Sequence, residues 1–380
     1  MKPYAERHVK VYADTYSYQK NGVDTALRQS MIDLSGTTSY SYDGRNRLTG
    51  ATGPGLTRGY GYDLNSNRTS KTENGTTTNY GYNAANELTT VNGTNTYTYD
   101  GNGNLTGGGG WSLAYNAKNQ TTSITKPGGT ALAPLAYAGG DQTQRTQAGS
   151  TSFVNSALGV ASATNTGSTD SYTRDNRGTL VSLRAASGSR YYYLFDGLGS
   201  VVGLVNGSGA KVNSYSYDPY GMQLSASETV ANPWRYASGQ YDGATGLTKF
   251  GSRYYDPALG RFTQRDPIGQ DLPYAYAGAN PVNNVDPQGL DWYIGIYWYE
   301  AELLYGLLKS ATSLFNPGQL PVPSWIINVV QLLSSWVASF ADELYGMCVP
   351  NLIGCTLVVR EFFGVPYGYY FISVFVFGRP

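Results

Sequence analysis

Two aspartates, Asp266 and Asp286, stand 20 residues apart, and each opens a similar turn-like pattern, Asp-Pro-Ile-Gly and Asp-Pro-Gln-Gly. Two carboxylates that share one proton are the equipment of aspartyl-type hydrolysis: one activates a water while the other donates to the carbonyl. Asp before Pro-x-Gly is also a stock turn starter, so both residues could serve only to cap those turns. Only folding can pair groups this far apart, and a working pair would have to approach to roughly 3–6 Å. Arg261 and Arg265 lie nearby in the chain. They could set the charge balance of the carboxylates or simply sit on the surface.

Other chemistries are excluded by composition. His8 is the single histidine, which removes Ser-His-Asp and Cys-His catalysis and multi-histidine metal sites. No metal or cofactor is implied. Twenty-six basic residues balance 26 acidic ones, so no net field draws in nucleic acid. Cys348 and Cys355 are the two cysteines; a disulfide and two buried thiols are both open to them. Residues 1–20 are polar and lack the apolar stretch of a secretory leader.

The elements that must position the aspartates are announced by a repeat. YSYDGRNRLTG (Tyr40 to Gly50), YGYDLNSNRTS (Tyr60 to Ser70), YGYNAANELTT (Tyr80 to Thr90) and YTYDGNGNLTG (Tyr97 to Gly107) align without effort. Tyr-x-Tyr has the strand period of two, Asp or Asn followed by Gly and Asn supplies a turn, and Leu-Thr begins the return strand. The 48 glycines and 35 tyrosines fit many short strands joined by tight turns. One hairpin alone is marginal, so successive hairpins over about 35–290 should pair edge to edge into one antiparallel sheet. Turns are expected at Asp43, Asp63, Asp100 and Asp218. Residues 125–169 read as degenerate copies with longer loops.

The block from Asn232 to Leu290 is denser. Arg253-Tyr254-Tyr255-Asp256-Pro257, Gly260-Arg261-Phe262, Asp266-Pro267-Ile268-Gly269, Asn280-Pro281 and Asp286-Pro287-Gln288-Gly289-Leu290 closely resemble the Rhs repeat-associated core of YD-repeat proteins. The resemblance covers about 30–290. It implies a mainly β protein: a hairpin strip spiralled into a cocoon, plugged by a core similar to a self-cleaving aspartyl protease. Carried over, Asp266 and Asp286 would be catalytic, with the cut between Leu290 and Asp291. The domains would be a lead-in (1–34), the strip (35–231), the core (232–290) and a variable apolar segment (291–380). The resemblance also implies secretion or cell-surface display, from a bacterial cytoplasm, and a partner that supplies the rest of the shell. Roughly 18 strands at ~4.8 Å give about 85 Å of strip, short of the ~130 Å needed around a folded passenger, so the strip should be open.

After Leu290 the composition turns aliphatic and tryptophan-rich. Residues 291–308 and 324–346 read as helices, and the uncharged run 325–341 would extend about 25 Å. Tyr369 to Phe377 reads as a buried strand or a membrane-seeking segment. A membrane-inserting toxin matched by an immunity protein, an ordinary α-rich domain and an inactive tail all fit. For the whole chain the readings are a shell-and-release module, a non-cleaving structural or cell-surface protein, and an inert remnant.

Overall fold

A computed structural model describes residues 14–268 and 272–290, with short stretches at 293–294, 344–348, 355–359 and 370–374. The chain divides into two compact units, Met1–Leu290 and Asp291–Pro380. The first is built almost wholly of antiparallel strands.

Each Tyr-x-Tyr-Asp copy closes one strand and opens a turn. Thr37–Tyr42 pairs with Leu48–Gly53, Leu56–Tyr62 with Arg68–Glu73, and Thr76–Tyr82 with Leu88–Val91. The turn between them recurs: the Asp43 N–H bonds to the Arg47 carbonyl, and the Asn46 N–H bonds back to the Asp43 carbonyl. Asn46 has φ 61°, and a register shift follows in the ladder. This is a type I turn closed by a left-handed residue and a bulge. Ser66, Asn86 and Gly103 hold the same left-handed position. That is why Asn and Gly recur there: they tolerate the conformation.

The second tyrosine of each copy ties one hairpin to its predecessor. The Tyr62 hydroxyl donates to the Leu48 carbonyl, Tyr82 to that of Arg68 and Tyr217 to that of Val201, all at 2.7–2.8 Å. A ring tucked under the sheet with its hydroxyl satisfied next door joins apolar burial to a hydrogen bond worth about 0.5–1.5 kcal/mol net. The same use recurs at Tyr42 and Tyr115, while Tyr99 accepts the Leu88 N–H.

The strip forms two sheets rather than the one expected. Thirteen strands run from Thr15–Ser17 to Ala131–Leu132, and ten from Leu135–Ala138 to Gln223–Glu228. The interruption falls at Ala133 and Pro134, and Pro134 has no N–H to give to a ladder. Residues 125–169, read as degenerate, supply regular strands such as Thr151–Ser156 and Gly159–Asn165. Strand number therefore exceeds the expectation, and the ladder begins at Thr15, inside the segment read as a lead-in.

The first and second sheets also touch through side chains and turns. The Gly197 N–H donates to the Tyr16 hydroxyl, the Tyr62 and Tyr220 hydroxyls bond at 2.6 Å, and Arg58 faces Asp218 at 3.5 Å. The strip thus comes round on itself through side chains. Thr15–Ser17 and Gln223–Glu228 each keep one edge without a ladder partner among the described residues. The perimeter estimate imagined a separate passenger inside, whereas residues 232–290 themselves pack against the strip.

That core carries a four-stranded sheet, Gln240–Asp242, Leu247–Phe250, Arg253–Asp256 and Arg261–Phe262. Phe250, Tyr255, Phe262 and Tyr276 pack as one buried cluster, with Tyr255 and Tyr276 centroids 4.6 Å apart. Each such ring pair contributes about 0.5–1.5 kcal/mol beyond the area it buries.

In the second unit the described residues are strands. Leu344–Cys348, Cys355–Val359 and Tyr370–Val374 form an antiparallel sheet in which Cys348 stands opposite Cys355. Residues 344–346, expected to end a helix, are extended here, paired with Leu357, Val358 and Val359, two of them β-branched. Tyr293–Ile294, inside the first expected helix, is also a strand. The rest of both expected helices, Asp291 and His8 lie outside the described residues. Among the described residues no helix is long and apolar enough to cross a membrane, and no cluster of metal-ligating side chains occurs.

Candidate active site

Asp266 follows the short strand Arg261–Phe262, and Asp286 follows Asn284–Val285. Both are buried, at 5% and 2% exposure. Each begins its turn as the repeat turns do: Asp266 Oδ1 accepts the Ile268 N–H at 2.9 Å, and Asp286 Oδ1 accepts the Leu290 N–H at 3.0 Å. The turn-capping expectation therefore describes one oxygen of each group.

The other oxygens converge. Arg253 Nη2 lies 3.1 Å from Asp266 Oδ2 and 3.2 Å from Asp286 Oδ2. One nitrogen between them keeps the two oxygens within about 6 Å, the range over which charges shift one another's ionisation. Arg253 is a cation shared by both acids, and these three groups balance in charge when the acids hold one proton between them. Burial pushes the Asp286 carboxyl up to about 6, opposed by Arg253 and the Leu290 N–H and reinforced by the charge of Asp266.

Arg253 is also what holds the end of the segment. Its Nε donates to the Gly289 carbonyl at 2.5 Å, and its Nη1 to the Pro273 carbonyl at 3.1 Å. Its guanidinium carbon lies 3.7 Å from the centroid of the Phe262 ring. The Ser252 hydroxyl donates to the same Gly289 carbonyl at 2.8 Å, and the Ser252 N–H to the Gln288 carbonyl at 2.8 Å. Gly251 and Gly289 make this approach feasible: a Cβ on Gly251 would lie 2.2 Å from the Gln288 oxygen, and one on Gly289 2.7 Å from the Phe250 oxygen. Gly289 moreover has φ 61°. The peptide preceding Leu290 is thus clamped next to two acids.

For Arg261 and Arg265, open either to balancing the carboxylates or to sitting on the surface, the structure shows these contacts. The Arg261 guanidinium donates to the Asn86 carbonyl at 2.6 Å and lies over the rings of Tyr82 and Tyr274, joining core to strip. Arg265 is exposed, and its N–H faces the Gly103 carbonyl at 3.3 Å. The bridging cation is Arg253, which sequence reasoning counted as part of the motif without giving it a role. The available signal was its type: a guanidinium can serve several acceptors at once. A cavity of about 330 Å³ lies elsewhere, lined by Tyr97, Trp111, Arg235 and Asp256 among others. A site acting on its own chain has no need of it.

The Teneurin YD-shell model matches residues 7–147 and 158–284, well over half of the chain. Over 221 residues, 54% of this chain, the sequence is 33% identical to the tRNA nuclease WapA of Bacillus subtilis, covering 9% of that protein. It is 36% identical over 99 residues, 23% of this chain, to the toxin subunit YenC2 of Yersinia entomophaga, covering 10% of it. The chain therefore spans about a tenth of the length of these relatives. The crystal structure of TcdB2-TccC3 without its hypervariable C-terminal region superposes with TM-score 0.55 at 19% identity, covering 74% of this chain and 17% of that one. The hairpin strip, the core that packs into it and the match along both together establish that the chain belongs to the Teneurin YD-shell family.

Proposed function

We propose that the chain is a shell-and-release module of a toxin-complex or Rhs-type polymorphic toxin system, whose core cuts after Leu290 and frees residues 291–380. The observation that carries this reading is the pair of buried carboxylates on one Arg253 nitrogen, with the Leu290 N–H on one of them. Asp266 takes a proton from water as the water oxygen attacks the Leu290 carbonyl carbon. Asp286, protonated, donates to the carbonyl oxygen. As the tetrahedral intermediate collapses, the C–N bond to Asp291 breaks. The leaving nitrogen takes the proton from Asp266, and Asp286 recovers its own. The products are a carboxyl on Leu290 and an amine on Asp291.

Arg253 offsets the one negative charge that remains throughout, and with Ser252 it holds the Gly289 carbonyl, one residue before the proposed cut. Relatives named as a tRNA nuclease and a toxin subunit support an exported, toxin-associated setting. The edge at Thr15–Ser17, without a second ladder partner among the described residues, suits further shell strands as partner. Membrane insertion of the freed segment, and an immunity protein against it, belong to the same reading.

A second reading is favoured by the same hydrogen bonds: both Oδ1 atoms cap turns and Arg253 satisfies both Oδ2 atoms, as in a purely structural ion triad that never cuts. Intact mass of the purified full chain separates the two. A break between Leu290 and Asp291 is expected; a folded chain that stays whole establishes the structural triad.

A further inference from the structure

We infer that Gln142, a residue of the strip, is a positioning residue for the cut after Leu290, so that cleavage waits until the strip has wrapped the core. The inference rests on the self-cleavage reading and adds to it a condition set by another part of the chain.

The site has two halves. One is Ser252 and Arg253, which grip the Gly289 carbonyl. The other is Asp266, which comes two residues after Gln264. Gln142 touches Ser252 in the first half and Gln264, two residues before Asp266, at the approach to the second. Its amide nitrogen donates to the Ser252 carbonyl at 2.6 Å and also to Gln264 Oε1. Its own oxygen accepts the Thr121 N–H at 3.0 Å, so both amide hydrogens and the oxygen are engaged. Gln142 is 4% exposed and Gln264 5%.

Gln264 is committed to the strip in turn. Its amide nitrogen donates to Asn104 Oδ1 at 3.1 Å and to the Asn119 carbonyl at 3.0 Å, and its oxygen accepts the Thr121 hydroxyl at 3.2 Å. The backbone on either side follows: the Leu105 N–H bonds to the Thr263 carbonyl, and the Arg265 N–H to the Gly103 carbonyl. Strip hairpins therefore set where the segment leading to Asp266 lies, and Gln142 sets its spacing from the Ser252 side. Amide hydrogen bonds in a buried setting are directional and costly to leave unmade. A displacement of about 1 Å between reacting groups can lower a rate on the order of 10²-fold.

The test uses the full chain made by cell-free translation, with intact and cut masses followed in time from mildly acidic to neutral pH. Gln142→Met keeps the volume and removes the hydrogen bonds. Asp286→Asn reports on the cleavage reading itself, and Asn213→Ser controls for losing a buried strip amide far from these contacts. The expected result is a cut slowed by about tenfold or more in Gln142→Met, with its pH midpoint displaced, at a far-UV spectrum like wild type. Asn213→Ser should cut at the wild-type rate. Should Gln142→Met not fold, Gln142→Asn, whose amide falls one methylene short, is held to the same expectation.

A folded Gln142 variant that cuts at the wild-type rate and pH midpoint overturns the inference and leaves the cleavage reading standing. A folded wild-type chain that never cuts overturns both. Slowing of the same size in Asn213→Ser overturns the inference too, because the effect then reflects general loosening of the strip.

Discussion

The strip and the core use one turn for two purposes. In the strip, Asp43 Oδ1 accepts the N–H groups of Arg45 and Arg47, and Oδ2 takes the Arg47 side chain. Asp63 and Asp100 do the same with Asn67 and Asn104 at the matching position. Each of these three carboxylates is satisfied within four residues, whereas Asp218 of the strip caps its turn with Oδ1 and turns Oδ2 to Arg58. In the core, Oδ1 of Asp266 and Asp286 still caps the local turn, but Oδ2 points away to Arg253, 13 and 33 residues distant in the chain. Burial acts against the Asp43 carboxylate, yet the hydrogen bonds from Arg47 and Arg45 outweigh it and hold the carboxyl below its usual range. At Asp286 burial wins and the carboxyl rises to about 6. A turn motif becomes a candidate catalytic group when its second oxygen is left for tertiary structure to use and a second acid meets it there.

The contrast breaks most visibly at the proposed reaction. Asp286→Asn or Asp266→Asn should lower the cut after Leu290 on the order of 10³-fold, read as intact mass, while the turn survives because Asn still caps it. Asp63→Asn should leave the cut unchanged. Equal loss from the strip variant would mean that turn integrity alone controls cleavage.

Next in size is the cation. Arg253→Met strands two buried acids and should destabilise the fold by about 3–5 kcal/mol in denaturant unfolding. Arg47→Met, at a partly exposed pair, should cost no more than about 1 kcal/mol. Similar losses at both positions would erase the distinction between the regions.

The pH dependence follows with a definite sign. A carboxyl raised from 3.8 to about 6 binds more protons folded than unfolded across that interval, so its contribution to stability falls as pH rises from 4 to 6. Asp286→Asn should therefore gain stability relative to wild type over that window and level off above it, in melting curves taken at stepped pH. A constant difference would show that Asp286 titrates normally.

The smallest expected effect lies in the strip's own turns. Asp63→Ala removes hydrogen bonds that stay within one turn and should destabilise by about 1–2 kcal/mol. Faster amide exchange should remain confined to the hairpin Leu56–Glu73. Exchange spreading to the core would show that strip turns are not locally self-sufficient.

Much of this molecule is local, and local order was legible. Period-two tyrosines, Asp or Asn at the turn start and a left-handed Asn or Gly three residues on are each satisfied by near neighbours, so a window of about 20 residues contains the whole hairpin. Residues 125–169 were harder, because strands there keep backbone pairing without the tyrosine phase. The split at Pro134 was overlooked although a proline inside a ladder has a fixed consequence. The density of the Asp-Pro-x-Gly block marked Asp266 and Asp286 as unusual, but their neighbours in sequence, Arg261 and Arg265, proved to face the strip and solvent.

Sequence alone thus determined the hairpin, its turn and its repetition, because each hydrogen bond involved joins groups a few residues apart. Tertiary structure decided which arginine bridges the two acids, which serine and arginine clamp the Gly289 carbonyl, and that Gln142 of the strip bonds both Ser252 and Gln264. Those choices join residues 13 to 122 positions apart. They depend on how a twisted strip comes round to meet its own core, a geometry set by the sum of many small inter-strand rotations and written at no single position of the chain.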